Sequence, residues 1–320
     1  MAKLSGFNFT NVTEMTVQHD TRNVAQDVSN IITIITTIIN GITCPFTVVL
    51  SVLVIMAVKR RRRLQSNTNI LLACLAATDT ATGLAVQPSL IVWKTFYLLN
   101  FNGRVPGHFH RFSVRSLTVC SSLHLILITC ERLLAIKFTM SYPHIVTKRK
   151  IKVAVIVFWA FSFVSQGAEY FSKNGIATFM MFLLVSSAMT FCVLFIATTY
   201  AILYRESRRH ESQIKTQQLP QEEAARFVQE NKAVKTAAFV VGAVFLSVLP
   251  MALTTFSIAV GVKRNLNVKA VLTFNIVIPL TRTCAILNSL LNPLIYFLRQ
   301  KEMRKFVFRV PCKPVEPAMN

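Results

Sequence analysis

Residues 31–63 read IITIITTIINGITCPFTVVLSVLVIMAVKRRRR. The stretch Ile31–Val58 carries no charge, and Lys59, Arg60, Arg61, Arg62 and Arg63 follow it at once. A helix rises about 1.5 Å per residue, so roughly 20 apolar residues cross the hydrocarbon of a bilayer. Residues 31–58 are long enough to do so, and the basic block is the usual cytoplasmic stop.

Six further stretches have the same character: Asn69–Trp93, Phe109–Ile136, Ile151–Phe171, Ile176–Tyr204, Val234–Val262 and Ala270–Leu298. Together they leave only short loops and tails in a chain of 320 residues, so no separate soluble domain fits. The break at Ser172-Lys173-Asn174-Gly175 is weak, which leaves six spans as the alternative. Apolar residues make up 53% of the chain, charged residues 15%, and the mean hydropathy is +0.50. That composition excludes disorder, collagen-like repeats and most soluble enzymes. The net charge of +22 would point to nucleic acid in a soluble chain. Here the bases lie in clusters between apolar runs, so the partner they indicate is the lipid bilayer rather than nucleic acid.

The clusters also give an orientation. Counting the bases after the first span, between the third and fourth, between the fifth and sixth, and after the seventh accounts for 23 of the 35 Lys and Arg. With seven spans all of these fall on one side, which the positive-inside rule makes the cytoplasm, with the N-terminus outside. The expectation is an all-α bundle of seven transmembrane helices over 31–298, an extracellular tail over 1–30, and a cytoplasmic amphipathic helix and short tail over 299–320. The plasma membrane is the expected location. Asn8 and Asn11 open Asn-X-Thr glycosylation patterns in that tail. No signal-peptide core precedes the first span, which is expected to act as the uncleaved signal. None of the seven cysteines falls in an outer loop, so no disulfide is expected, and Cys312 in the basic tail is a candidate for palmitoylation. His108 and His110, near the outer mouth, read as loop histidines rather than metal ligands.

Charge inside hydrocarbon costs about 2.5–3.5 kcal/mol per residue, so intramembrane ionisable groups face the bundle interior. They are Asp79, Glu131, Arg132, Arg115 and Arg282. On the third span Val114, Ser121, Leu125, Ile128 and Arg132 share one helical stripe. On the seventh, Arg282, Ser289 and Tyr296 repeat at sevens, with Asn288 and Asn292 alongside. Asp79 can thus meet Ser121, Asn288, Ser289 and Asn292 at mid-depth. That set of oxygens suits a small hard cation such as Na+, or equally an ordered water or a polar layer that fixes helix packing.

Leu75-Ala76-Ala77-Thr78-Asp79, Glu131-Arg132-Leu133-Leu134-Ala135-Ile136, Trp159, Tyr200, Pro250 and Asn288-Ser289-Leu290-Leu291-Asn292-Pro293-Leu294-Ile295-Tyr296 together resemble the rhodopsin-like (class A) G-protein-coupled receptors. The match covers residues 31 to about 309. The resemblance implies a receptor, not an enzyme, that binds an extracellular ligand and catalyses nucleotide exchange on a heterotrimeric G protein. It implies that Arg132 engages the G protein, that Glu131 holds it in cis and Glu230 across helices, and that Tyr200, Asn292, Pro293 and Tyr296 belong to the activation switch. It also implies a sodium pocket at Asp79, Ser121, Asn288, Ser289 and Asn292. In RQKEMRKFVFR (299–309), Met303, Phe306 and Val307 share one face, as expected of a helix on the inner leaflet.

The departures from the family pattern are specific. Gly107 stands at the usual disulfide cysteine and the next outer loop lacks its partner, which resembles the branch holding melanocortin, lysolipid, cannabinoid and adenosine receptors. Cys192 stands at the usual proline of the fifth span, Ser51 at the first span's asparagine, Val248 at the sixth span's tryptophan and Leu133 at the tyrosine after the arginine. Val114 occupies the aspartate position of amine receptors, and Ile286 the retinal lysine position of opsins. Ligand contacts are expected at Val114, Arg115, Val248 and Arg282. The two guanidinium groups suit an anionic ligand, lipid or peptide; alternatively they snorkel to headgroups or pair with Glu169. No Ser or Thr follows Tyr296, so arrestin recruitment would depend on Ser207, Ser212 and Thr216. A non-coupling seven-helix protein and a multi-pass transporter are the rival readings, although the chain shows no internal repeat of the kind transporters carry.

Overall fold

The structure, a computed structural model, describes residues 9–138, 141–171, 268–299 and 301–308, with isolated positions at 191, 194–195, 198–199, 201–202, 205, 242, 249–251, 253–254 and 257. The expected fifth and sixth spans therefore lie mostly outside the described residues, as do Asn8, Tyr200, Glu230, Val248 and Cys312.

Helix α1 runs Phe9–Arg60. The expected tail is thus helical from residue 9 onward, a difference with a simple cause: residues 9–40 contain no Gly or Pro to stop the helix. Over its membrane portion α1 is polar inward and apolar outward. Thr33, Thr36, Asn40, Thr47 and Ser51 are buried, while Ile31, Ile34, Ile38, Ile42, Phe46 and Val49 are exposed. Lipid tails are as apolar as Ile, so burial of Ile gains nothing in a bilayer, and small polar side chains form the helix contacts instead. The threonines satisfy their hydroxyls on their own helix: Thr36 donates to Ile32 O at 2.8 Å and Thr47 to Thr43 O at 2.9 Å.

After a 3-10 turn, Arg62–Leu64, helix α2 spans Asn67–Ala81 and is capped by Ser66, whose hydroxyl accepts from Asn69 N at 3.3 Å. A π-helical turn at Thr82–Val86 joins it to α3, Gln87–Leu98. Gly83 in that turn lies against α1. A Cβ there would come within 2.6 Å of the Val48 side chain, and Cys44 Sγ donates to Gly83 O at 3.1 Å. Helix α3 ends where Asn100 takes a left-handed φ of 57°.

Helix α4 is Arg104–Lys137, α5 the short Tyr142–Ile145, α6 Lys148–Phe171, α7 Val268–Arg299 with Pro279 and Pro293 inside it, and α8 Lys301–Phe308. The expected boundaries of the described spans agree to within a few residues except at three ends: the start of α1, the end of α3 and the start of α4. Among the described residues four helical stretches are long and apolar enough to cross a membrane: Gln26–Arg60, Asn67–Leu98, Arg104–Ala135 and Lys148–Gly167.

Two apolar clusters sandwich a polar layer. The cluster on the α8 side includes Val54, Leu71, Leu75, Leu125, Ile128, Tyr296 and Met303, and the one on the opposite, outer side of the polar layer, where α3 ends, Val86, Leu90, Val114, Leu117 and Ile286. Asp79, Asn288, Ser289 and Asn292 are buried between them. The amphipathic reading of α8 holds at its described side chains. Met303 is fully buried, Arg304 is exposed, and the Arg61 guanidinium lies 5.9 Å from the Phe306 ring centre.

Candidate functional site

Near the C-terminal end of α4, Arg132 makes a two-pronged pair with its neighbour: Nε donates to Glu131 Oε2 at 2.7 Å and Nη2 to Oε1 at 2.8 Å. Glu131 is 2% exposed, and a carboxylate that deeply buried is costly unless its lone pairs are filled. Two more donors fill them. Thr68 Oγ1 at the start of α2 donates to Oε1 at 3.0 Å, and the Tyr142 hydroxyl of α5 donates to the same oxygen. Asn67 Nδ2 donates to the Tyr142 oxygen at 3.4 Å and to Val146 O at 3.0 Å, tying the segment between α4 and α6 to α2. Burial, and then the hydrogen bond and charge of Glu131, push the Tyr142 phenol up to about 12, so it remains a donor at neutral pH. Thr68, Asn67 and Tyr142 were not among the residues expected from sequence. The available signal was a tyrosine just before Pro143 in the loop that follows Arg132.

In the polar layer Asn292 Nδ2 donates to Asp79 Oδ2 at 3.1 Å and to Oδ1 at 3.4 Å, and Ser289 lies near the carboxylate. Asp79 and Asn292 are fully buried. Ser121, Asn288 and Ser289 line a cavity of about 30 Å³ beside this group, a volume that holds one or two waters or a small ion. The buried acceptors Asn288 Oδ1 and Asn292 Oδ1 have no hydrogen-bond partner. Of the five expected residues, Ser121, Asn288 and Ser289 line this space, while Asp79 and Asn292 are hydrogen-bonded to each other and are not part of its wall. Pro293 and Tyr296 are buried one turn below.

The expected ligand residues do not share a single site. Val114 lines the small mid-depth cavity and is packed in the outer apolar cluster. Arg282 lines a separate cavity of about 270 Å³ between α1, α3 and α7, together with Lys94, Trp93 and Tyr97. Arg115 and Arg111 lie within electrostatic reach of Arg282, and so does Lys94. Lys94 is new from the structure. The expected second span stopped at Trp93, whereas α3 continues to Leu98 and turns Lys94 inward. Gln26 of α1 closes the rim, with Nε2 donating to the Tyr97 hydroxyl at 2.9 Å. The side chain of Glu169 lies outside the described ones.

His110 is not a loop residue. It is fully buried inside α4, its Nδ1 lies 3.2 Å from Ser89 Oγ, and it stacks on Trp93 with ring centres 5.5 Å apart. The face of Trp93 lies over Gly103 and Gly107, and a Cβ on Gly107 would approach Trp93 Nε1 to 2.8 Å. The outer ends of α3 and α4 are therefore held by an indole seated on two glycines, at the position where the family pattern leads one to expect a disulfide. Asn11 falls in the first turn of α1.

A profile of the family described as 7 transmembrane receptor (rhodopsin family) matches residues 51–296. Among individual proteins, the rat histamine H2 receptor is 29% identical over 217 residues, covering 62% of this chain and 60% of that receptor. The human histamine H2 receptor is 26% identical over 286 residues, covering 84% of this chain and 77% of its own length. The mouse growth hormone secretagogue receptor type 1 is 24% identical over 289 residues, covering 81% and 76%.

Proposed function

The chain belongs to the rhodopsin-like family of seven-transmembrane receptors and is a G-protein-coupled receptor rather than an enzyme, and from that premise we propose how it signals. An extracellular ligand favours the arrangement in which the cytoplasmic ends of the helices part, and Arg132 leaves Glu131 to engage a heterotrimeric G protein. The ligand can shift this equilibrium only by its differential affinity for the two arrangements. The observation that carries the reading is the Arg132–Glu131 pair at 2.7 and 2.8 Å, closed over by Thr68 and Tyr142. It is a clamp between α4, α2 and the second inner loop, and breaking it frees a guanidinium at the cytoplasmic face. Glu230 and Tyr200 would complete the switch from the sixth and fifth spans, and Val248 would contact the ligand.

The polar layer suits Na+. Asp79 supplies the negative charge, Ser289, Ser121 and the unpartnered oxygens of Asn288 and Asn292 supply neutral ligands, and the cavity has room for one ion. When bound, the ion would hold α2, α4 and α7 together and so favour the closed clamp. We further propose that the N-terminus is extracellular in the plasma membrane, that Asn8 and Asn11 carry glycans, that Cys312 is palmitoylated, and that 1–30, 31–298 and 299–320 are the functional divisions.

The named relatives are receptors for histamine and for growth hormone secretagogues. A histamine-like amine is not proposed here. Val114 replaces the aspartate of amine receptors and is buried in an apolar cluster, where it offers no counter-charge. Cations instead converge on the outer side, so the ligand is anionic, lipid or peptide, and the Gly107–Trp93 packing is in keeping with the branch of melanocortin, lysolipid, cannabinoid and adenosine receptors.

Guanine-nucleotide exchange on purified G protein, with the receptor in lipid nanodiscs, tests the clamp. Glu131→Gln removes one charge of the pair and is expected to raise basal exchange roughly tenfold, the equivalent of about 1.4 kcal/mol. Arg132→Ala is expected to abolish exchange. Exchange by Arg132→Ala at the level of the unmodified receptor would refute coupling through this arginine and favour the non-coupling reading.

A further inference from the structure

The cavity of about 270 Å³ between α1, α3 and α7 has two cationic side chains, Lys94 and Arg282, in its wall. Arg282 lies in its wall with its Nε buried and without a hydrogen-bond partner. Lys94 faces it from α3, its ammonium 4.9 Å from the centre of the Trp93 ring and 5.6 Å from that of Tyr97. Among the described residues no carboxylate pairs with either cation. A buried guanidinium beside an ammonium in low dielectric is repulsive, and a bound anion would turn that repulsion into two attractions. Thr283 adds a directed donor. Its hydroxyl accepts from Asn40 Nδ2 at 3.3 Å, which leaves its own hydrogen available to a ligand. Leu90, Ile278, Pro279 and the two rings form an apolar and aromatic side of the wall, and Ser29, Thr33 and Thr36 of α1 form a hydroxyl-bearing one.

We propose that this cavity, not the space beside Val114, is the ligand site, and that it takes a small amphiphile bearing one carboxylate or phosphate. The headgroup sits between Arg282 and Lys94 against Thr283, and the apolar body lies along Trp93, Tyr97 and Leu90. The proposal rests on the receptor reading above and narrows its ligand class. Ligand sites for small molecules run from about 300 to 1,000 Å³, so this one accepts a headgroup with a short body and is too small for a folded peptide. An acid of this kind could arrive from the lipid or from water; its recognition chemistry is the same.

The two tryptophans of the chain permit a direct test. In a Trp159→Phe background Trp93 is the only tryptophan, and its ring is part of the cavity wall. The full-length receptor in zwitterionic nanodiscs is titrated with oleate as the lipid-borne probe and 3-phenylpropionate as the soluble one. Oleyl alcohol and 3-phenylpropanol are their uncharged controls. A saturable change in Trp93 emission with at least one acid, and none with its matched alcohol, is expected; the acid that titrates identifies the source. Arg282→Gln and Lys94→Gln should each weaken the response at least tenfold, while Arg282→Lys and Lys94→Arg keep most of it and show that the bundle is intact. Equal responses to acids and alcohols, no response to either acid, or a response unchanged in both Gln variants would overturn the proposal. No G protein is present in this assay. Loss of the Trp93 response therefore counts against the site, whereas binding without exchange counts against the receptor mechanism.

Discussion

Gly107→Ala is expected to destabilise the receptor although Ala is the better helix former. The new Cβ would stand 2.8 Å from Trp93 Nε1, 3.0 Å from its Cδ1 and 3.2 Å from its Cε2. The stacked His110 ring at 5.5 Å and the Lys94 ammonium at 4.9 Å brace the indole, so it can yield toward the cavity it lines only by giving up those contacts. Inserting a methyl into such a site costs about 1–3 kcal/mol. Replacing a helical glycine by alanine recovers about 0.5–1 kcal/mol, less here because Gly107 is in the first turn of α4. The net loss is about 1–2 kcal/mol. Gly167, inside α6, supplies the matched control: among the described residues nothing lies within 4 Å of where its Cβ would be, so Gly167→Ala should gain about 0.5–1 kcal/mol. Thermal unfolding of the purified proteins in identical nanodiscs at one heating rate reads the difference, with Gly107→Ala melting below and Gly167→Ala at or above the unmodified receptor. A displaced indole should also shift the Trp93 emission in the Trp159→Phe background. If both alanine variants melt together, the packing of Trp93 on Gly107 does not hold the outer ends of α3 and α4.

Two further outcomes are expected. Tyr142→Phe removes one of the donors to Glu131 and should raise basal nucleotide exchange about two- to fivefold, less than Glu131→Gln, because an ordinary hydrogen bond contributes about 0.5–1.5 kcal/mol. The Tyr142 pKa is raised to about 12, so the neutral donor is favoured in the folded protein: its contribution is complete below the unfolded value near 10 and fades only as pH rises through about 12. The Tyr142→Phe effect should therefore be flat from about pH 6 to pH 9. Replacing potassium by sodium should raise the melting temperature of the unmodified receptor and leave Asp79→Asn unchanged; a sodium effect that survives in the variant would mean that the ion does not bind at Asp79.

The sequence was most legible where one physical rule acts alone. Lipid demands about 20 apolar residues per crossing, and the described helices α2–α3, α4, α6 and α7 begin and end close to the expected places. The meeting of Asp79 with Asn292 and Ser289 was readable because helical periodicity fixes which residues share a stripe. Other features depended on packing that no period reports. The π turn at Thr82–Val86 shifts the register of α3 relative to α2, so Lys94 reaches a cavity that a straight helix would not predict. His110 reads as a loop histidine because it stands at the very edge of the expected third span, whereas α4 begins about a turn and a half earlier, at Arg104, and carries that ring inside, onto Trp93. The inward Thr and Asn stripe of α1 was written in the sequence at 33, 36, 40, 43, 47 and 51, but hydropathy averages it away.

Every role assigned here requires the two ends of the chain to lie on opposite faces of the membrane, with Arg132 on the cytoplasmic one. Short epitope tags placed before Met1 and after Asn320, probed on intact and then on permeabilised cells, measure this directly. The account predicts that the N-terminal tag is stained on intact cells and the C-terminal tag only after permeabilisation. Staining of both tags on intact cells, or of neither, would contradict an odd number of crossings and, with it, the receptor mechanism.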